Sequence, residues 1–173
     1  KQKKLRLLEI GTLYGVGLSA LYEHVSSHFT EVDCTVIDPF EGYYGTNADP
    51  VTGELVTRAN FETNLRRLGI PEDAITVVQH LSESREAMDA VAGSKFNFFL
   101  IDGDHSYHGV KRDFENYASL LPRNAIVVVD DYGTAEYEGI NRYVEDTMKK
   151  HPNLTFVGAD FNTAVFRIKS AIS

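Results

Sequence analysis

The apolar residues of this chain gather in short runs of strand length: LRLLEI (5–10), CTVID (34–38), AITVV (74–78), FNFFLID (96–102) and AIVVVDD (125–131). They are hydrophobic almost without interruption, which predicts strands buried on both faces, as in a parallel sheet. Between them the period changes. Leu18, Leu21, Val25 and Phe29 make one stripe at helical spacing, and Val110, Phe114, Tyr117 and Leu121 make another, within a helix predicted over 107–121. A third helix is predicted over 135–150, with Thr134 as its N-cap, two lysines in the last turn where they suit the helix dipole, and Pro152 as its stop. The tail breaks the alternation. LTFVGAD (154–160) and NTAVFRI (162–168) lie too close together for a helical crossover, so they are predicted to pair antiparallel. The reading is an α/β domain over 1–173, with a mostly parallel seven-stranded sheet, an antiparallel C-terminal strand pair and helices on both faces. The long irregular segment 41–55, EGYYGTNADPVTGEL, interrupts this order, and such a loop inside a compact domain is usually functional or mobile.

With 173 residues, 43% of them apolar, the chain suits one domain with a sizeable core. Seventeen Lys and Arg against twenty-five Asp and Glu leave a net charge of −8, which offers no electrostatic footprint for nucleic acid or an anionic membrane. A small molecule is the expected partner, and a homo-oligomer is compatible with the pattern. Cys34 is the only cysteine, so no disulfide forms within the chain, and its place in an apolar run predicts a core position in a reducing compartment. No stretch approaches the roughly 20 apolar residues of a membrane span, and the basic start runs straight into a strand, so a cytoplasmic location is the default expectation.

Candidate chemistry collects where strands end. After the first strand comes LLEIGTLYGVGLSALY (7–22), in which Gly11, Gly15 and Gly17 fall as GxxxGxG with Glu9 two residues ahead. Glycines let the backbone take positive φ and approach a ligand, and the following helix aims free N–H groups at the same space. This is not the GxGxxG of dinucleotide enzymes. A glycine-rich turn in some other α/β protein is the bland alternative. In open α/β sheets ligands bind beyond the carboxyl ends of the strands, and here the strands end in Glu9, Asp38, Asp102 with Asp104, and Asp130 with Asp131. Clustered carboxylates repel, so something cationic is expected among them. Asp38 stands where an acid accepts hydrogen bonds from ribose hydroxyls; the competing reading is a turn residue before Pro39. Asp102, Asp130 and Asp131 offer three hard oxygen donors that suit Mg²⁺, and the alternative is that Asp130 and Asp131 cap loops and pair with Arg or Lys. His105, three residues past Asp102, is a further ligand candidate, although imidazole prefers zinc or iron.

The acid and glycine turn, ExGxxxGx(G/S), resembles the first motif of class I S-adenosylmethionine (SAM) methyltransferases. FFLIDGDHSYHGVKRDF and AIVVVDDYG resemble the branch that carries a DGDHSYxGVxxD signature, methyltransferase domain family 24. More distantly the chain is similar to metal-dependent O-methyltransferases of the catechol and caffeoyl-CoA type and to macrocin-type sugar O-methyltransferases. The resemblance implies a Rossmann-like class I fold, with SAM as cofactor contacted by Glu9, Gly11, Thr12, Gly15, Gly17, Asp38, Ser82 and Asp102. It also implies Mg²⁺ on Asp102, Asp130 and Asp131, although catechol-type enzymes have Asn at the last position. Asp102 and His105 match catalytic positions, His105 falling where those relatives carry a lysine; histidine titrates near neutrality without help. Ser82 falls where the family contacts adenine, or else it caps the helix SREAMDAVAG. The chain starts almost on its first strand, so an N-terminal segment of the kind that covers the cofactor in methyltransferases is expected to be missing.

The implied reaction is O-methylation of a small-molecule hydroxyl, with a vicinal diol on a sugar or a catechol ring as the best chelator. A nicotinamide-dependent oxidoreductase is a rival, disfavoured by the glycine spacing and the antiparallel finish. A SAM-binding domain without catalysis is another, against which the retained acids and His105 speak. Among the remaining residues, His24 and His28 are expected to be exposed on the first helix, and His108 belongs to the start of its helix. His80 is a candidate pocket residue, Tyr43 and Tyr44 are candidates for stacking on a ligand or packing on their own domain, and Tyr132 is a candidate wall of the acceptor pocket.

Overall fold

Five strands run parallel: β1 (Leu5–Ile10), β2 (Val32–Ile37), β3 (Ile75–Val78), β4 (Phe98–Ile101) and β5 (Ile126–Val129). The last two, β6 (Leu154–Asp160) and β7 (Thr163–Ile168), are antiparallel to each other, and β7 also pairs antiparallel with β5. The computed structural model describes residues 4–42 and 45–172, so the expectation for Tyr43 and Tyr44 lies outside the described residues. Across the sheet the order is β3-β2-β1-β4-β5-β7-β6. The chain therefore starts in the middle, winds outward to β3, and returns to β4 on the other side of β1. That reversal between β1 and β4 is the point at which such sheets open a crevice at their carboxyl ends.

Strand alternation splits the core in two. On one face Leu5 and Leu7 of β1 pack with Val32, Cys34 and Val36 of β2 against Leu18 of α1 (Val16–Ser26) and Phe61 and Leu65 of α2 (Arg58–Arg67). On the other, Leu8, Ile10, Phe99, Val127 and Val129 pack against α3 (Arg85–Ala90), α4 (Tyr107–Tyr117) and α5 (Glu138–Asp146) through Ala87, Val110, Phe114, Ile140 and Val144. Cys34 is buried as expected, and burial pushes its thiol up to about 12.

The helices differ from the sequence reading in instructive places. Helix α2 was not foreseen, because RANFETNLRR places only Phe61 and Leu65 on the core and the rest in polar surroundings; Thr57 caps it by accepting from the Asn60 N–H at 3.2 Å. Phe29 lies beyond the end of α1, yet packs against the same core. The third predicted helix begins later than 135: Thr134 is not its N-cap, because its hydroxyl donates to the Asp131 carbonyl at 2.9 Å and holds residues 131–134 in a turn. Its C-terminal end tightens into a 3₁₀ turn over Met148–Lys150.

The long segment after β2 is built against the glycine turn. Ala48 and Leu55 form an isolated bridge, the Tyr14 hydroxyl donates to Asp49 Oδ2 at 2.8 Å, and Asn64 Nδ2 donates to the Tyr14 carbonyl at 2.9 Å.

Candidate active site

A cleft of about 530 Å³ lies over the carboxyl ends of the parallel strands, bounded by the segments that follow β1, β2, β3, β4 and β5. That volume suits a small-molecule ligand. Among the sequence candidates, Gly11, Asp38, Ser82, Asp102, His105, Asp130 and Asp131 line it. Glu9, Thr12, Gly15 and Gly17 do not.

The three glycines have separate reasons to exist. Gly11 has φ of +79°, and a Cβ there would overlap the Asp102 carbonyl, so the ends of β1 and β4 touch backbone to backbone; Asp102 N–H in turn donates to the Ile10 carbonyl at 2.9 Å. Gly15, with φ of +84°, turns the chain into α1, and a Cβ would come within 2.7 Å of the Phe61 ring, so it serves helix packing. Gly17 corrects the sequence reading. It sits exposed in the first turn of α1, has no positive φ, and a Cβ there would meet nothing within 4 Å.

Asp38 is 6% exposed, and both its oxygens are occupied by backbone donors. Oδ2 accepts from the N–H groups of Thr12 (2.8 Å) and Leu13 (3.1 Å), and Oδ1 accepts from Phe40 N–H (2.7 Å). A carboxylate has about four acceptor sites, so roughly one remains on Oδ1 for a ligand hydroxyl. Both sequence readings hold in part: Asp38 is a turn residue that pins the glycine turn, and it also faces the cleft. Burial raises its pKa, opposed by these three N–H bonds.

Glu9 lies beneath the turn, 2% exposed, and its Oε2 has no hydrogen-bond partner among the described residues. Burial raises its carboxyl to about 8; the nearby Thr12 hydroxyl partly offsets this, and Asp102 and Asp38 add to the rise. Thr12 is buried too, acting on the cleft through the N–H it gives to Asp38.

At the far end of the cleft Asp102, His105 and Asp131 converge, each able to offer one ligand atom within 4.8 Å of the others. His105 Nε2 is 3.6 Å from Asp102 Oδ1 and 3.4 Å from Asp131 Oδ2, which is ion-pair distance. Its ring meets Tyr137 edge-on at 4.3 Å. Gly139 lets α5 come this close, because a Cβ there would run into the backbone at 105–107. Burial works against a charged His105, but Asp102, Asp131 and Asp104 outweigh it and its pKa is raised. The pKa values of Asp102 and Asp131 are raised by burial first, and in both cases His105 opposes the rise. Asp130 stands apart from this trio: its Oδ1 accepts from the Thr163 hydroxyl at 2.8 Å, so the first residue of β7 orients it. Neither Asp130 nor Asp131 pairs with Arg or Lys in the described ion pairs. Asp104 belongs to the turn into α4, accepting from Ser106 N–H at 2.9 Å and pairing with Arg112 at 3.6 Å.

Ser82 is not a helix cap. Ser84 caps α3, accepting from Ala87 N–H at 3.1 Å, while the Ser82 hydroxyl donates to Asp113 Oδ1 at 2.6 Å. Asp113, the final acid of DGDHSYHGVKRD, carried a signal in the sequence that went unassigned; Thr163 and Tyr137 carried none. His24 and His28 are exposed, and His108 is the second residue of α4. His80 is exposed and lines a smaller side pocket with Gln79 and Glu41 rather than the main cleft. Tyr132 turns its hydroxyl to Glu145 and Lys149 and does not line the cleft. Among the described residues no helix is long and apolar enough to cross a membrane.

Known proteins share this architecture. The O-methyltransferase NovP superposes with a TM-score of 0.70 at 14% identity, over 95% of this chain and 72% of its own. CalS11, a TDP-rhamnose 3'-O-methyltransferase of calicheamicin biosynthesis, gives 0.63 at 16% identity, over 94% of this chain and 71% of its own. MycE, a methyltransferase of the mycinamycin pathway solved with Mg and S-adenosylhomocysteine (SAH), gives 0.61 at 14% identity, over 96% of this chain and 46% of its own. An uncharacterized protein of Sinorhizobium fredii, y4gI, is 25% identical over 154 residues, 87% of this chain. The chain spans only 16% of that relative's length. Residues 8–132, from β1 to the turn after the paired acids, match the model of a methyltransferase domain, and the chain belongs to that methyltransferase family.

Proposed function

We propose that the chain transfers a methyl group from SAM to a hydroxyl oxygen of a small molecule bearing neighbouring hydroxyls, a sugar or a catechol-like ring. The convergence of Asp102, His105 and Asp131 at one end of the cleft carries this reading, because two facing carboxylates with an imidazole between them call for a cation and a proton acceptor in one place. Support comes from the sugar methylation named for CalS11 and from the Mg and SAH held by MycE. A nicotinamide-dependent oxidoreductase has no such support.

The fit of a divalent metal rests on the donor set. Asp102 and Asp131 supply hard oxygens, with Asp130 beside them, and Mg²⁺ binds through few carboxylates while keeping waters. Bound there, the ion would act as a Lewis acid that lowers the pKa of an acceptor hydroxyl. The protein's own residues do the rest. Gly11 brings the strand ends together under the cleft, and Asp38 offers its remaining acceptor site to a ribose hydroxyl. His105 receives the acceptor's proton on Nε2, the atom that faces both acids. Those acids raise the pKa of the ring, and a divalent cation held between them would offset that pull and favour the neutral ring that can serve as a base.

The test is an acceptor screen of sugars and catechols, scored for SAH release with Mg²⁺ and with EDTA. Turnover should vanish in EDTA and return with Mg²⁺, and His105→Ala should lower kcat about 10²- to 10⁴-fold with little change in SAH affinity. Turnover indifferent to EDTA removes the metal, full kcat in His105→Ala removes the base, and SAH binding without turnover on any acceptor favours a binding domain.

A further inference from the structure

Asp130 and Asp131 are consecutive, yet both line the cleft. In an extended strand successive side chains point to opposite faces, so two neighbours reach the same space only if the backbone turns between them. The turn is made at Asp131, whose φ is +56°. That left-handed conformation is unfavourable for a residue with a Cβ, although Asp tolerates it better than most, and it persists where the surroundings hold it. Relaxed to an ordinary conformation, Asp131 would carry its carboxylate away from His105 Nε2, which lies 3.4 Å from Oδ2.

The hold comes from α5. Asn141 Oδ1 accepts from the Gly133 N–H at 2.6 Å, and its Nδ2 donates to the Thr134 carbonyl at 2.7 Å. A side-chain amide offers an acceptor and a donor side by side, so this one residue satisfies both backbone groups of the turn. The Thr134 hydroxyl, donating to the Asp131 carbonyl at 2.9 Å, passes the grip on to Asp131 itself. One turn further along α5, Glu145 accepts from the Tyr132 hydroxyl, to which Lys149 donates at 2.9 Å. At the start of the same helix Tyr137 meets the His105 ring edge-on at 4.3 Å, and Gly139 packs against the backbone at 105–107. One helix therefore aligns both halves of the corner, His105 through its first turn and Asp131 through Asn141.

We propose that Asn141 is the positioning residue of the acid corner: by clamping the turn over 131–134 to α5 it keeps the Asp131 carboxylate turned toward Asp102 and His105, and so sets how tightly the corner holds a divalent cation. The proposal rests on the reading of that corner as a metal site. Residues that orient ligands without touching the ion contribute strongly to metal affinity, because a ligand free to swing must be ordered at the moment of binding. Asn141 does not line the cleft, so its effect has to pass through the turn.

The experiment titrates the protein with Mn²⁺ at neutral pH and follows the free ion by electron paramagnetic resonance, on the wild type, Asn141→Leu, Asp131→Asn and the double variant. Melting curves establish folding, and SAH calorimetry in EDTA gives a second readout. Asn141→Leu keeps the size of the side chain and removes both bonds; it should weaken Mn²⁺ binding about 10- to 100-fold while SAH affinity changes less than about twofold. In the Asp131→Asn background the same substitution should cost less than about twofold, because the carboxylate it positions is gone. A merely structural Asn141 would lower the melting temperature and leave the Mn²⁺ affinity of the folded protein intact. Should Asn141→Leu fail to fold, Asn141→Ser, which loses both bonds but leaves room for water, carries the same expectation. Unchanged Mn²⁺ affinity in the Asn141 variant, a loss that persists undiminished beside Asp131→Asn, or an equal loss of SAH affinity overturns the proposal. Mn²⁺ that does not bind the wild type, or that binds Asp131→Asn just as tightly, overturns the metal reading beneath it, and the proposal falls with that reading.

Discussion

Two carboxylates at the rim of one cleft live in opposite circumstances. Asp38, at the end of β2, is met by three backbone N–H groups and has about one acceptor site left. Asp131, beyond β5, faces Asp102 with the His105 ring between them. The first acid has spent its charge on holding the glycine turn in shape, whereas the second retains its charge for whatever enters. A sequence that ends nearly every strand in an acid presents the two as equals; hydrogen-bond satisfaction separates scaffold from chemistry.

Removing the acids should expose that contrast most strongly. Asp38→Ala strips the acceptor from three N–H groups and is expected to cost about 3–6 kcal/mol. For a chain of this length that is a fall in Tm of roughly 10–15 °C, read by thermal or denaturant unfolding. Asp131→Asn removes one of two facing negative charges and should leave stability within about 1 kcal/mol of wild type, while Mg²⁺ affinity falls. Equal losses in the two variants would erase the distinction.

A second, somewhat smaller effect concerns pH. Glu9 has a folded-state pKa of about 8 against an ordinary 4.5, so the folded state binds its proton more tightly than the unfolded chain. Its contribution is fully present below the ordinary value and is lost as pH rises toward 8. His105, Asp102 and Asp131 are raised as well, so their contributions have the same sign. Without ligands the protein should therefore be less stable at pH 8 than at pH 5.5. Glu9→Gln should gain on the wild type by roughly 2–3 kcal/mol across that interval. A stability difference that stays flat with pH would show that Glu9 is already ionised.

The smallest expected effect is at Gly17, with Gly11 as its contrast. Gly17→Ala in the exposed first turn of α1 should stabilise the protein by about 0.5–1 kcal/mol and leave SAH affinity unchanged, since Ala suits a helix and nothing stands in its way. Gly11→Ala should instead destabilise severely, because its Cβ would overlap the Asp102 carbonyl. Calorimetry and melting curves on the pair would show whether the motif's glycines serve one purpose or two.

Most of the fold was legible in the sequence because it is written in periodicity: near-continuous apolar runs gave all seven strands, and the closeness of 154–160 to 162–168 gave their antiparallel pairing. Helix α2 escaped because Phe61 and Leu65 alone are too brief a stripe to announce it. The strand-end acids were legible as a group, since topology brings carboxyl ends together. Their separate environments were not, because the N–H groups that satisfy Asp38 come from Thr12 and Leu13, and the hydroxyl on Asp130 comes from Thr163. Contacts across such separations leave no local pattern. The Ser82 and Asp113 pair is the intermediate case, for both residues stand in recognisable segments but the bond between them crosses from one strand end to the next helix.

The hydrogen bond from Thr163 to Asp130 also sets an order of events for a chain made from its N-terminus. When residues up to 150 have left the ribosome, the sheet from β3 to β5 has all its parts, but β5 presents a bare edge and Asp130 lacks the hydroxyl that orients it. Only the β6–β7 hairpin, with β7 lying between β5 and β6, supplies both the missing partner strand and that hydroxyl. The acid corner is thus completed only after all five parallel strands have been synthesised, and a nascent polypeptide stalled before that hairpin would expose a strand edge before it owned a finished site.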